Sequence, residues 1–213
     1  MLTAMTASTS LPLPEESVPP EPTANVAGSG GHIPGNKGIW VGITCEFVEF
    51  LVLFVVYFVS RAHFPEAFEA GSERLSRVAG SAITLLMISS SFCLACSVAC
   101  IRVDARRQSL YWLLAALVLA LGYPVAKVLE IQWNLAHGID GNSGIFFTVY
   151  YYLTFNHLVH AMWGVLGMLW VLARHLAGGY NAEEHSGLEA LASYWHATDI
   201  IWLVIFPFFY VLT

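Results

Sequence analysis

Apolar residues in this chain gather into five long runs that short polar segments separate. The runs cover residues 39–59, 78–101, 110–131, 145–172 and 191–212. Each run is close to or longer than the roughly 20 residues that a helix needs to cross the hydrocarbon core of a bilayer. The pattern therefore predicts an all-α fold, namely an integral membrane bundle of five helices.

Composition supports a membrane protein. Of the 213 residues, 57% are hydrophobic and only 11% are charged, whereas a soluble domain has about 25% charged residues. The net charge is −6, and the absence of a basic patch in the sequence argues against a nucleic-acid partner. Residues 1–37 are rich in Pro, Ser, Thr, Gly and Glu, so we expect a disordered tail there and a membrane domain over residues 38–213.

The polar segments between the runs predict the topology and two irregular regions. Five spans place the chain ends on opposite sides of the membrane. Five basic residues, Lys37, Arg102, Arg106, Arg107 and Arg174, fall on the side of the N-terminus, and three, Arg61, Arg74 and Arg77, fall on the other side. The positive-inside rule then favours a cytoplasmic N-terminus and a periplasmic C-terminus. Residues 61–77 are expected to form a polar connection, and Gly122 and Pro124 predict a kink in the third span.

Four of the five runs carry ionisable residues at i,i+3 spacing, which places both members of a pair on one helix face. The pairs are Glu46 with Glu49, Lys127 with Glu130, His157 with His160, and His196 with Asp199. A charged residue at the centre of a spanning helix costs roughly 2.5–3.5 kcal/mol on insertion scales. The pairs therefore predict a shared polar interior. We expect His196 and Asp199 to face the fourth span, near His157 or His160.

Three interpretations of this polar interior remain open at the level of the sequence. The side chains could form a hydrogen-bonded, ion-paired network that fixes the bundle, or they could relay protons or ions. They could also bind metal, since Glu and His from facing helices build carboxylate-bridged di-iron sites. That design requires Glu-x-x-His on two helices, whereas this chain has Glu-x-x-Glu, His-x-x-His and His-x-x-Asp. No complete metal site is therefore predicted.

The last run and the loop before it resemble the closing signature of subunit III of the haem-copper oxidases. The resemblance rests on His185, Gly187, Glu189, Tyr194, Trp195, His196, Asp199 and Trp202. His157, His160 and Gly164 are similar to that family's preceding helix. Trp40, Ile43 and Glu46 are similar to the helix that holds its carbodiimide-reactive carboxylate. Five spans resemble the short bacterial branch of the family, and the segment WLVIFPFFYVLT resembles the NorE-type accessory protein of nitric oxide reductases.

The resemblance implies a non-catalytic subunit of a respiratory complex in the bacterial inner membrane, packed on a catalytic haem-copper subunit. It implies a role in assembly, stability and proton uptake, and no cofactor beyond structural phospholipid. Trp40, Trp195 and Trp202 would contact lipid or the partner. The subunit that the resemblance implies is most like the accessory subunit associated with nitric oxide reductase, which acts in denitrification. The alternatives are a terminal cytochrome c or quinol oxidase subunit III in aerobic electron transport and, from another class, a stand-alone membrane metalloenzyme.

Overall fold

The computed structural model describes residues 33–212, all of whose regular elements are helices. The expected disordered tail falls almost entirely on residues outside this range. The six helices are α1 (Lys37–His63), α2 (Pro65–Glu73), α3 (Arg77–Arg102), α4 (Arg106–Ala136), α5 (Ile145–Leu176) and α6 (Ser186–Tyr210). Five of them, all except α2, are long and apolar enough to cross a membrane. The expected all-α bundle of five spans is thus confirmed. Every span helix is longer than its apolar run, but α6 begins five residues before its run and ends at Tyr210, two residues before the end of the run.

The helix ends follow from local chemistry. The Asn36 side chain accepts a hydrogen bond from the Ile39 amide at 3.0 Å, so α1 begins with a side-chain cap. The Ser76 hydroxyl caps α3 in the same way by accepting from the Ala79 amide. Such caps satisfy amides that have no partner within the helix. The α4 helix continues through Pro124 without a break.

The short helix α2 corrects the prediction of a polar connection over residues 61–77. It packs Phe68, which is only 1% exposed, against the rings of Tyr57 and Phe146, both at 5.3 Å between centroids. A Cβ on Gly71 would clash with the Phe146 ring, so α2 and α5 approach closely at this glycine. A nine-residue helix with one buried aromatic side chain is too short to produce an apolar run of membrane length, so the hydropathy pattern does not reveal it.

Helix α6 occupies the centre of the bundle. It contacts α1, α2, α3 and α5, whereas α1 contacts only α2, α5 and α6. Half of the most apolar stretch of α6 is buried, against 17% for α1. The last helix therefore brings the polar residues of its neighbours together, and α1 leaves most of its surface uncovered.

Candidate functional site

The first polar cluster joins α1, α4, α5 and α6 around His157, which is fully buried. Its Nε2 lies 3.0 Å from the Thr198 carbonyl oxygen, and its Nδ1 lies 2.9 Å from the Tyr123 hydroxyl. A carbonyl can only accept, so Nε2 carries the proton and Nδ1 accepts from Tyr123. The neutral imidazole is thereby fixed by one side chain and one peptide group.

Glu46 extends this cluster towards α1. It is 2% exposed, and its Oε1 accepts from the Thr198 hydroxyl at 3.1 Å and lies 3.6 Å from His160 Nδ1. The other ring nitrogen of His160 lies 3.3 Å from Glu49 Oε2. The His160 imidazole thus bridges a buried carboxyl group and an outer one. Buried carboxylates are costly unless they are paired or hydrogen-bonded. Thr198 and His160 supply such contacts to Oε1, whereas Oε2 is buried and has no hydrogen-bond partner among the described residues.

The second polar cluster is a buried ion pair with two tyrosines. Lys127 Nζ donates to Glu130 Oε2 and to the Tyr150 hydroxyl, both at 2.9 Å, and to the Tyr210 hydroxyl at 3.3 Å. Tyr210 donates to Glu130 Oε1 at 2.7 Å. Both charged side chains are 1% exposed. All three ammonium hydrogens have acceptors, which is the condition under which a buried charge is tolerated.

The third polar cluster corrects one expectation. His196 and Asp199 face α3, not α5, and both contact Ser91. The Ser91 hydroxyl donates to Asp199 Oδ2, and the Ser91 oxygen lies 2.9 Å from His196 Nδ1. The i,i+3 spacing fixed their common face, but the rotation of α6 against its neighbours decided which helix that face meets. The arrangement is not a Ser-His-Asp triad, because the carboxylate binds the serine and lies 3.9 Å from His196 Nδ1.

A fourth polar cluster ties the end of the bundle that holds the start of α1. Glu189 Oε1 accepts from Arg102 Nη2 at 2.7 Å and lies 3.3 Å from His185 Nε2. Glu189 Oε2 accepts from the Gly35 amide at 3.2 Å. In the sequence, His185 and Glu189 stand out only through the family resemblance, and no pattern pairs them with Arg102. Their i,i+4 spacing was the available signal.

The three tryptophans do not share the outward position expected of them. Trp195 and Trp202 are fully buried, so within this structure they are not the lipid or partner contacts that the resemblance implied, whereas Trp40 is 40% exposed. Trp202 donates from Nε1 to the Thr84 hydroxyl at 2.9 Å. Trp195 packs against α5 where a Cβ on Gly164 would lie 2.6 Å from its ring. Because α6 is central, its large side chains fill the interior.

The described part of the chain holds no group of three His, Cys, Asp or Glu side chains that could bind a metal ion. The four clusters also offer no continuous side-chain path across the bundle. The Nε2 proton of His157 bonds to the Thr198 carbonyl oxygen. A peptide group therefore interrupts the series of side-chain hydrogen bonds between Tyr123 and Glu46. What the geometry offers is a set of buried polar side chains that bond one another, except that Glu46 Oε2 has no hydrogen-bond partner among the described residues. It also offers one imidazole between two carboxyl groups at the α1–α5 contact.

Comparison of the sequence with known proteins identifies the family of this chain. The family model described as "Cytochrome c oxidase subunit III" matches residues 30–213. The chain belongs to the cytochrome c oxidase subunit III family. The cytochrome c oxidase subunit 3 of Thermostichus vulcanus is 31% identical over 83% of this chain and 86% of that protein. The subunit of the same name from Synechocystis sp. is 29% identical over 82% of this chain and 74% of that protein.

A relative that is named a quinol oxidase subunit, and not a cytochrome c oxidase subunit, is also similar. The probable quinol oxidase subunit 3 of Staphylococcus aureus is 21% identical over 82% of this chain and 87% of that protein. The family match and the five spans together identify this subunit III family member as a multi-pass membrane protein. The residues that carry the sequence resemblance, from Trp40 to Trp202, lie on α1, α5, α6 and the loop before α6.

Proposed function

We propose that this protein is a non-catalytic membrane subunit of a haem-copper oxidase superfamily respiratory complex. The observation that carries the proposal is the match of residues 30–213 to the subunit III family. The buried clusters add physical support, because their side chains already bind one another and hold the helices in register. We propose that the subunit supports assembly and stability of its catalytic partner and carries no haem, copper or iron of its own.

The complex would lie in the bacterial inner membrane with the N-terminus of this subunit in the cytoplasm. Support comes from the basic residues: Arg102 and Arg106 lie at the same end of the bundle as Lys37, and Arg61 and Arg77 lie at the opposite end. Phospholipid at the uncovered helix faces is the expected further partner. His160, between Glu46 and Glu49, is the place where this subunit would assist proton uptake.

Two types of catalytic partner remain as candidates, each with its own support. The relatives named as cytochrome c or quinol oxidase subunits favour an oxygen-reducing oxidase. The resemblance of WLVIFPFFYVLT to the NorE-type protein favours a nitric oxide reductase. The experiment is affinity purification of the tagged protein from native membranes, with identification of co-purified subunits and visible spectra, followed by oxygen and nitric oxide consumption by a deletion strain.

The outcomes separate the candidates. A co-purified haem-copper subunit and a selective loss of oxygen consumption would assign the protein to an oxidase, and a selective loss of nitric oxide consumption would assign it to a reductase. A stoichiometric metal or a Soret band that remains with this chain after removal of all partners would contradict the proposed non-catalytic role and support a stand-alone metalloenzyme.

A further inference from the structure

A cavity of about 270 Å³ lies between α3 and α6, and we call it the α3–α6 cavity. Glu189, Ser193 and His196 line it from α6. They follow one another at intervals of four and three residues, so they form a polar row along one face of that helix. Ala95 and Ala99 line the cavity from α3, and their short side chains leave the space beside the polar row open.

The outer end of the α3–α6 cavity lies at the end of the bundle that holds the start of α1. Arg102 and Pro34 line the cavity there, and 52% of the Arg102 side chain is exposed. The Arg102 guanidinium donates to Glu189 Oε1, and the Gly35 amide donates to Glu189 Oε2. A half-exposed guanidinium at the end of a spanning helix reaches the interface with water. The cavity therefore meets the aqueous phase on the N-terminal side of the membrane.

The inner end of the cavity lies at His196, about 10 Å further along α6 than Glu189. The Ser91 hydroxyl donates its hydrogen to Asp199 Oδ2, so its oxygen accepts from His196 Nδ1 at 2.9 Å. When Nδ1 of a neutral imidazole carries the proton, Nε2 is an acceptor. His196 Nε2 has no hydrogen-bond partner among the described residues, and 39% of the side chain is exposed. A side chain that lines the cavity thus retains a free acceptor.

The size and the chemistry of the cavity suit water. Each water molecule takes about 30 Å³ and needs polar partners, so 270 Å³ accommodates several. Ser193 donates to the Glu189 carbonyl oxygen, and its own oxygen can still accept. Neighbouring members of the polar row are about 5 Å apart along the helix axis, a separation that one bridging water can span. Water can therefore be bound continuously from Glu189 to His196.

We propose that the α3–α6 cavity is a water-filled inlet that opens on the N-terminal side of the membrane and ends at His196, which takes up and releases protons. In uptake, a hydronium ion in the inlet transfers its proton to Nε2, which leaves a water molecule and an imidazolium ion. Asp199 Oδ2, 3.9 Å from Nδ1, stabilises the imidazolium charge, and Glu189 at the outer end offsets the charge of Arg102. The inlet is separate from His160 at the α1–α5 contact, and it does not depend on which complex contains the subunit.

The first test measures which positions water-soluble reagents reach in native membranes. The native cysteines of the full-length protein are replaced by alanine, and Ser193→Cys or His196→Cys supplies a single thiol. A charged, membrane-impermeant thiosulfonate is added to inside-out and to right-side-out vesicles. Leu169→Cys is the control, because Leu169 is 45% exposed on α5 and, like Ser193, lies seven residues from the end of its helix on the N-terminal side.

We expect Ser193→Cys and His196→Cys to react about tenfold faster than Leu169→Cys, because the reactive thiolate forms in water and not in lipid. The reaction should occur only when the reagent is on the N-terminal side. Ala99→Leu should fill the cavity and lower the rate at position 193 about tenfold, since fewer water molecules then reach the thiol. Ser89→Leu is the matched control, because Ser89 is an exposed small residue of α3 that does not line the cavity, and it should leave the rate unchanged.

The second test locates the proton on His196 by nitrogen NMR of the full-length protein with isotope-labelled histidine. The resonances that His196→Gln removes should show a neutral imidazole with its proton on Nδ1. Ser91→Ala should abolish this preference, because the oxygen that accepts from Nδ1 is then absent. A purely structural role for His196 would not require the proton on Nδ1.

Equal rates at positions 193 and 169, or reaction at position 193 from the opposite side of the membrane, would overturn the inlet. A rate at position 193 that Ala99→Leu leaves unchanged would also overturn it, because water would then reach the thiol by another route. A neutral His196 with its proton on Nε2 would overturn its role as the proton acceptor. Each of these outcomes leaves the proposed function intact, because that function concerns the partner subunit.

Discussion

The buried ion pair of α4 gives the sharpest test of the interior. Lys127 and Glu130 are each 1% exposed and bind each other at 2.9 Å. Replacing Lys127 by Met removes the cation and leaves the Glu130 carboxylate inside the bundle. Removing one partner of a buried pair costs about 3–5 kcal/mol in free energy of unfolding. The reverse change, Glu130→Leu, leaves the ammonium with only the tyrosine hydroxyls and should cost about as much.

The double variant should be less damaging than either single variant. With Lys127→Met and Glu130→Leu together, no buried charge remains, and the hydroxyls of Tyr150 and Tyr210 still bond each other at 2.9 Å. The hydrogen bonds lost from these hydroxyls are worth about 1 kcal/mol each, and replacement of a buried pair by apolar residues of similar volume is often close to neutral. Three such hydrogen bonds are lost, so we expect a net loss of at most about 3 kcal/mol.

Reversible unfolding in mixed detergent micelles, followed by tryptophan fluorescence, measures the four members of this double-mutant cycle. Val128→Met is the control, because Val128 is 47% exposed and neighbours Lys127 on the same helix. It should change stability by less than about 0.5 kcal/mol. If the two single changes are additive in the double variant, Lys127 and Glu130 do not interact. If neither single change lowers stability, water reaches the pair, and the buried arrangement is refuted.

Three further predictions concern the other clusters and the topology. Asp199→Ala should lower the melting temperature more than His196→Ala, because the Asp199 side chain is 10% exposed and that of His196 is 39% exposed; equal losses would refute this ranking. Glu189→Gln should lower the free energy of unfolding by about 1.5–3 kcal/mol, because it removes a charge-assisted hydrogen bond. Adding Arg102→Gln to that variant should lower it little further. Additive losses would show that the pair of Arg102 and Glu189, 2.7 Å apart, contributes nothing to stability. Reporter fusions at the two chain ends should give opposite signals, and matching signals would mean an even number of spans.

The sequence alone was sufficient for the membrane-spanning helices. Apolar run length predicted five spans because the bilayer core imposes a minimum length on any helix that crosses it. Spacing also placed Lys127 and Glu130 on one face of α4, where the structure pairs them. Properties that belong to a single helix, such as its length and the residues that share its face, follow from the 3.6-residue period. They require no knowledge of the neighbouring helices.

The tertiary structure decided which partner each polar face meets. Glu46 and Glu49 share a face by spacing, yet Glu46 is buried and Glu49 points half outward. His196 and Asp199 meet Ser91 on α3, which no local pattern indicated. The rotation of each helix is set by close packing against several neighbours at once, as where Gly80 lies against the Tyr210 ring. This packing involves residues that are far apart in the chain, so the sequence pattern within one helix does not predict the rotation of that helix.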